Sequence, residues 1–82
     1  MTKEEIKSAI ISQILEVAPD IEVRDIVFDK NIQRSLEIDS FDFLTILTAL
    51  NEQLGVEVPE ADYSKVDTVE HMAEYFALRL SH

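Results

Sequence analysis

The feature that most constrains the fold is an apolar stripe with the period of an α-helix in the middle of the chain. Its members recur at i, i+3, i+4, i+7 and i+11, and they are Phe43, Ile46, Leu47, Leu50 and Leu54. This spacing places them on one face of a helix, which has to be buried against other elements. We expect the helix to run from about Ser40 to Leu54 and to end at Gly55, the only glycine of the chain, because glycine readily adopts the left-handed conformation that closes a helix.

A polar turn stands directly before this helix. Asp39 or Ser40 can serve as its N-cap, because an oxygen of either side chain can accept a hydrogen bond from an amide left free in the first turn. The hydroxyl of Ser40 would then lie at the positive end of the helix dipole, where free amides and the local field favour an added phosphate. The turn is therefore a suitable position for a phosphodiester.

Two further segments have helical patterns. Thr2 followed by Glu5 is a capping-box pattern, and it predicts a helix from about Lys3 to Val17 that Pro19 prevents from continuing. Thr68 is expected to cap the last helix. The apolar stripes consist of Ile6, Ala9, Ile10, Ile14 and Val17 in the first helix and of Val69, Met72, Ala73, Phe76 and Leu80 in the last. These stripes should pack against the central one.

The remaining segments are shorter or ambiguous. Residues 19–39 could form a strand by composition, but no second strand of similar character exists to pair with it, so we predict an ordered loop pinned by apolar side chains. After an extended connector at residues 56–59, one or two turns of helix are expected near residues 60–64. The predicted fold is all-α: a small four-helix bundle of three main helices and a short third helix, with a long ordered loop between helices one and two. Residues 1–82 are expected to form a single domain.

The chain is strongly and unevenly acidic. Its seventeen acids and seven bases give a formal net charge of −10, and no base occurs between Arg34 and Lys65. Such a field would repel nucleic-acid phosphates and anionic membranes, and it would steer basic protein surfaces toward Ser40. For the overall charge, an equally good interpretation is that the acids only keep a small protein soluble.

Several classes of protein are excluded or made improbable by composition. Without cysteine the chain can form no disulfide and no thiolate metal site. No apolar run approaches the ~20 residues of a membrane span, and the acidic N-terminus lacks the pattern of a signal peptide. We therefore predict a cytoplasmic monomer without a membrane span, a nucleic-acid partner or a bound metal.

Ser40 taken alone would be interpreted as an ordinary capping residue. A serine hydrolase would need a base near it, yet the only histidines are His71 and His82, and neither has a recognisable partner pattern. Calcium-loop windows fail as well, because Asp25 or Arg34 falls where the sixth-position glycine belongs. No catalytic residue is predicted.

The tetrapeptide Asp39-Ser40-Phe41-Asp42 resembles the Asp-Ser-Leu signature of acyl carrier proteins. The resemblance extends in order through residues 29–80. Its other members are Asp29, Ile32 and Leu36 before the serine, the segment Leu54-Gly55-Val56-Glu57-Val58-Pro59-Glu60 after the helix, and Thr68-Val69. An isolated Asp-Ser pair would be a weak signal, whereas these ordered matches in a chain of this size are a specific one.

This resemblance implies a carrier without catalytic activity. A phosphopantetheinyl transferase would attach 4′-phosphopantetheine to Ser40, and acyl-loading and acyl-transferring enzymes with basic docking surfaces would use the loaded carrier. The partner-recognition residues would be Asp39, Phe41, Asp42, Phe43, Thr45, Thr48, Glu52 and Glu57. Of these, Phe43 starts the apolar stripe, which favours packing in the core over contact with a partner. Phe41 stands in the place of the family's leucine.

Three positions depart from the family pattern. Glu37 stands where many relatives have glycine, which predicts a backbone that is not left-handed or else is strained. Thr45 and Asn51 replace residues that are often acidic in fatty-acid carriers. These departures favour a specialised carrier with dedicated partners in a fatty-acid, lipid or polyketide-type pathway. A peptidyl or aminoacyl carrier and an unmodified acidic interaction module remain as alternatives.

Overall fold

The computed structural model describes residues 1–80. Four α-helices are present in this part of the chain: α1 (Lys3–Val17), α2 (Ile32–Leu36), α3 (Ser40–Leu54) and α4 (Val69–Leu80). Two 3₁₀ segments, Val23–Asp25 and Glu60–Val66, lie between them. The described residues form no strand, and a single antiparallel bridge joins Asn31 to Thr68. The all-α prediction is confirmed.

The core lies where the apolar stripes of α1, α3 and α4 meet. α1 packs against both of the other long helices. Side chains with no exposed surface come from all three of them, and they include Ile6, Ile10, Ile14, Ile46, Leu50, Val69, Met72 and Phe76. The stripes predicted from helical spacing therefore form one shared core.

The predicted helix ends are also confirmed. The hydroxyl of Thr2 accepts from the Glu5 amide at 3.2 Å, while the Glu5 carboxylate accepts from the Thr2 amide at 2.9 Å. The hydroxyl of Thr68 accepts from the amide of His71 at 3.0 Å. Gly55 ends α3 with φ 71°, in the left-handed region.

The segment between α1 and α3 is more structured than predicted. The expected loop contains the 3₁₀ turn Val23–Asp25 and the five-residue helix α2. Asn31 caps α2 by accepting from the Arg34 amide at 3.0 Å, and Ile32 is buried. A helix this short has too few turns to show a period in the sequence. The predicted third helix is a 3₁₀ segment, and it ends at Val66, two residues later than expected.

Glu37 ends α2 in the left-handed conformation, with φ 54° and ψ 42°. Of the two alternatives that the sequence left open, the strained backbone is the one found. The left-handed region costs an L-residue roughly 1–2 kcal/mol, because Cβ crowds the following carbonyl oxygen. The turn at Glu37 directs the chain from α2 back toward the start of α3.

We expect Glu37→Gly to raise the free energy of unfolding by about 0.5–1 kcal/mol. The free energy gained by relieving the strain exceeds the stability lost because glycine makes the unfolded chain more flexible. Urea unfolding measures the change. Glu37→Ala is the matched control, because it removes the carboxylate and keeps a Cβ in the left-handed region. An equal gain in both variants would assign the effect to charge and contradict the strain.

Ion pairs at Glu70 join α1 to α4. Its two oxygens accept from Lys3 Nζ at 2.6 Å and from Lys7 Nζ at 2.8 Å. These hydrogen bonds, that of Lys3 first, lower the pKa of Glu70 from 4.5 to about 2. A carboxyl whose pKa is lower in the folded state stabilises the fold above its unfolded pKa and loses that contribution as the pH falls toward its folded pKa.

The difference in stability between wild type and Glu70→Gln should therefore be full above pH 4.5 and should disappear as the pH falls to about 2. Chemical unfolding at a series of pH values measures it. Glu4→Gln makes the same chemical change in an exposed residue of α1 and should show no such trend. A wild-type advantage that stays constant down to the lowest pH would contradict this role of Glu70.

Candidate functional site: a serine at the start of helix α3

The capping residue of α3 is Asp39. Its Oδ1 accepts from the amide of Asp42 at 2.8 Å, which decides between the two capping residues that the sequence allowed. Ser40 is the first residue of the helix and is exposed. Because the cap belongs to Asp39, the hydroxyl of Ser40 is available for chemistry at the positive end of the helix.

The chain that leads into Ser40 is held from two sides. Ile32 and Ile38 are buried at 1% and 5% exposure, on either side of the turn at Glu37. The amide of Ile38 donates to the carbonyl of Gln33 at 3.0 Å, and that of Ile32 donates to the carbonyl of Asp67 at 2.8 Å. The serine thus stands on a fixed backbone.

A groove of about 500 Å³ opens beside the hydroxyl of Ser40. Its lining comes from α2, α3, the 3₁₀ segment Glu60–Val66 and the residues next to them: Asn31, Gln33, Ser40, Phe43, Leu44, Glu60, Tyr63, Ser64 and Asp67. Gln33 Nε2 lies 3.5 Å from Ser40 Oγ. An exposed hydroxyl next to an open groove with amide and hydroxyl groups in its walls fits a flexible, polar prosthetic arm.

The residues that line this groove include no histidine. His71 lies on the exposed side of α4, where its Nδ1 is 2.7 Å from Asp67 Oδ1. This hydrogen bond raises the pKa of His71 above its ordinary value. The pairing of His71 with Asp67 was not predicted from the sequence, although Asp67 stands one helical turn before His71. The other histidine, His82, lies outside the described residues. The lining therefore places no histidine beside the hydroxyl of Ser40, and its carboxylates are those of Glu60 and Asp67.

The outer face of α3 carries four of the eight predicted partner-recognition residues. The ring of Phe41 is 76% exposed, and Thr45, Thr48 and Glu52 are exposed on the same face. With Leu44 and Ala49 they line a second, shallow groove of about 430 Å³. Leu44, which is 40% exposed, was not among the residues predicted to contact partners. Its position three residues after Phe41 was the signal.

The other predicted recognition residues lie elsewhere. Phe43 is 5% exposed and belongs to the core, so the packing alternative is correct and its side chain is not part of the outer face of α3. Asp39 and Asp42 stand at the start of the helix, beside Ser40. Glu57 is exposed in the connector beyond Gly55 and lines neither groove.

An exposed serine at a helix N-terminus, beside an open groove on a small helical bundle, is the arrangement expected of a protein that carries a covalently attached prosthetic group. Residues 8–76 match the family model described as "Phosphopantetheine attachment site". The chain is 37% identical over 75 residues to the acyl carrier protein of Lactobacillus johnsonii, and the aligned segment covers 92% of each chain. It is 31% identical over 72 residues to the acyl carrier protein of Campylobacter hominis, and the aligned segment covers 88% of this chain and 85% of the Campylobacter protein.

The chain belongs to the acyl carrier protein family, whose prosthetic group is 4′-phosphopantetheine. The resemblance stated from the sequence is thereby confirmed. None of the helices in residues 1–80 combines the length and apolar character that crossing a membrane requires.

Replacing Asp39 should separate the contribution of its capping hydrogen bond from the contribution of its charge. We expect Asp39→Ala to lower the free energy of unfolding by about 1 kcal/mol, because the amide of Asp42 loses its acceptor. Asp39→Asn keeps an acceptor oxygen and removes the charge, so it should stay within about 0.5 kcal/mol of wild type. Urea unfolding of both variants tests this, and an equal loss in both would show that the charge, and not the cap, stabilises α3.

Proposed function

We propose that this chain is a non-catalytic acyl carrier whose attachment residue is Ser40. The observation that supports this best is the exposed hydroxyl at the start of α3, beside an open groove. When bound, 4′-phosphopantetheine supplies a terminal thiol that holds an acyl group as a thioester. The chain supplies the anchoring oxygen and the surfaces that partner enzymes contact. Residues 1–82 would act as one domain, monomeric and cytoplasmic.

The modification would be a phosphoryl transfer at Ser40. Ser40 Oγ bonds to the phosphorus next to pantetheine in coenzyme A, the pyrophosphate linkage breaks, and adenosine 3′,5′-bisphosphate leaves. Since the lining of the groove holds no histidine, a base of the transferase takes the proton of Ser40. The N-terminus of α3 then places its dipole and its free amides next to the new phosphodiester.

The partners we infer are enzymes with a basic surface around an apolar contact area. Phe41 and Leu44 supply exposed apolar surface, and Asp39 and Asp42 place negative charge beside Ser40. Such charges give fast, salt-sensitive association, and an apolar contact this small gives a short-lived complex. Both properties suit a carrier that has to leave each enzyme.

The middle of the docking face favours a dedicated set of partners. Thr45 and Thr48 are exposed and uncharged, so the acids are confined to the two ends of α3. Partners would then be selected more by apolar shape than by a continuous row of charge pairs. The names of the relatives favour acyl cargo over aminoacyl or peptidyl cargo, and we propose a fatty-acid, lipid or polyketide-type pathway.

Incubation with coenzyme A and a broad-specificity phosphopantetheinyl transferase should add the mass of one phosphopantetheine group to the chain. Intact-mass spectrometry measures the gain, and peptide mapping should place it on Ser40. Ser40→Ala should gain nothing. Ser64→Ala is the matched control, because Ser64 is the other exposed serine of the groove, and it should be modified like wild type. No gain in wild type, or a gain that persists in Ser40→Ala, would refute the proposal.

Charge reversal at Asp42 should slow this modification, and more at low salt than at high salt, because salt screens exposed charges. Initial rates at several salt concentrations measure the effect. Glu16→Lys is the matched control, because it makes the same change in net charge at a position far from Ser40. Glu16 lies in the last turn of α1, and the 3.4 Å contact of Gln13 with Gln53 shows that this part of α1 lies near the C-terminal end of α3. Equal slowing by Asp42→Lys and Glu16→Lys would indicate an effect of net charge alone.

A further inference from the structure

We propose that Gln33 is a positioning residue for the phosphodiester on Ser40. Its side-chain amide would donate a hydrogen bond to the phosphate during transfer and afterwards. The inference rests on the proposed function, and it adds a residue of α2 to a site that the sequence placed wholly on the turn before α3 and on α3 itself.

The geometry places a donor where the phosphate is attached. Gln33 Nε2 lies 3.5 Å from Ser40 Oγ, at the long limit of a direct hydrogen bond. A phosphate bonded to Oγ has non-bridging oxygens one bond beyond phosphorus, and these are stronger acceptors than the hydroxyl. Both side chains line the same groove. Contacts of this kind are often long before substrate is present and shorten in the complex.

The backbone of Gln33 is fixed independently of Ser40. The carbonyl of Gln33 accepts from the Ile38 amide at 3.0 Å, and the neighbouring Ile32 is buried with its amide bonded to Asp67. Within the described chain, the Gln33 side chain makes no hydrogen bond other than that to Ser40. Its amide is therefore held near the site without a competing acceptor.

A neutral donor suits this acidic site. Asp39 already occupies the amide of Asp42, so one donor of the first turn of α3 is not available to a phosphate. Asp39 adds negative charge next to Ser40, and a cation at position 33 would weaken the field that attracts basic partners. The amide of Gln33 can bind a phosphate oxygen and leave that field unchanged.

The direct test is nuclear magnetic resonance of the full ¹⁵N-labelled chain before and after attachment of 4′-phosphopantetheine. The side-chain amide protons of Gln33 should shift downfield and exchange with water more slowly. Gln13 and Gln53 are internal controls, because they contact each other at the far end of α3 and should not change. A shift at Gln33 no larger than those of the controls would overturn the inference.

Kinetics of the transfer supply a second test. Gln33→Met keeps the length of the side chain and removes the donor. The kcat of the transferase acting on this variant should therefore fall roughly 3- to 10-fold, as expected for one neutral hydrogen bond. Gln33→Glu should lower it further, because a carboxylate repels the phosphate. The KM for the carrier should stay unchanged in both, since the outer face of α3 is intact. Gln53→Met should have wild-type kinetics.

The outcomes separate the two proposals. If wild type is not modified, the proposed function fails and this inference fails with it. If wild type is modified while Gln33→Met and Gln33→Glu keep the wild-type kcat, only the inference about Gln33 fails. If circular dichroism shows that a variant is unfolded, the inference is decided by comparing the side-chain amide signals of Gln33 with those of Gln13 and Gln53 in the wild-type chain.

Discussion

Burial of one face of α3 against α1, in the core that both helices share with α4, is the interaction on which the rest of the structure depends. Ile46 and Leu50 have no exposed surface, and truncating such a residue to alanine typically costs about 2–5 kcal/mol. This burial also fixes the rotation of the helix about its axis. With Phe43 turned into the core, Ser40 and Phe41 remain at the surface. The position of the Ser40 hydroxyl is thus a consequence of core packing.

The groove beside Ser40 depends on contacts distant in sequence. One wall is α2, whose residue Ile32 donates its amide to the carbonyl of Asp67, the residue that follows the 3₁₀ segment Glu60–Val66. Another wall is this 3₁₀ segment itself, which is held to α4 because the hydroxyl of Tyr75 donates to Asp62 at 2.7 Å. The residues from Asp67 to Tyr75 therefore support both walls. This arrangement explains how segments with little regular structure can form a defined site.

Acids and uncharged residues alternate along α3. Acids stand at its two ends, and the exposed apolar side chains of its outer face are interrupted by uncharged threonines. Long-range attraction is not specific for shape, whereas apolar contacts act only at short distance. Under the proposed function, a surface of this kind would be found quickly by many basic partners and retained by those with a matching apolar area.

The sequence by itself determined α1, α3 and α4, the caps Thr2 and Thr68 and the position of Ser40 at the start of α3, because helical periodicity and capping are local properties of the chain. It did not reveal α2, because a helix of five residues is unstable alone and forms here through tertiary bonds. The exposure of Leu44 and the approach of Gln33 to Ser40 were likewise decided only by the tertiary structure. Both depend on the rotation of α3 and on how the chain returns from α2, and no local spacing in the sequence records either of them.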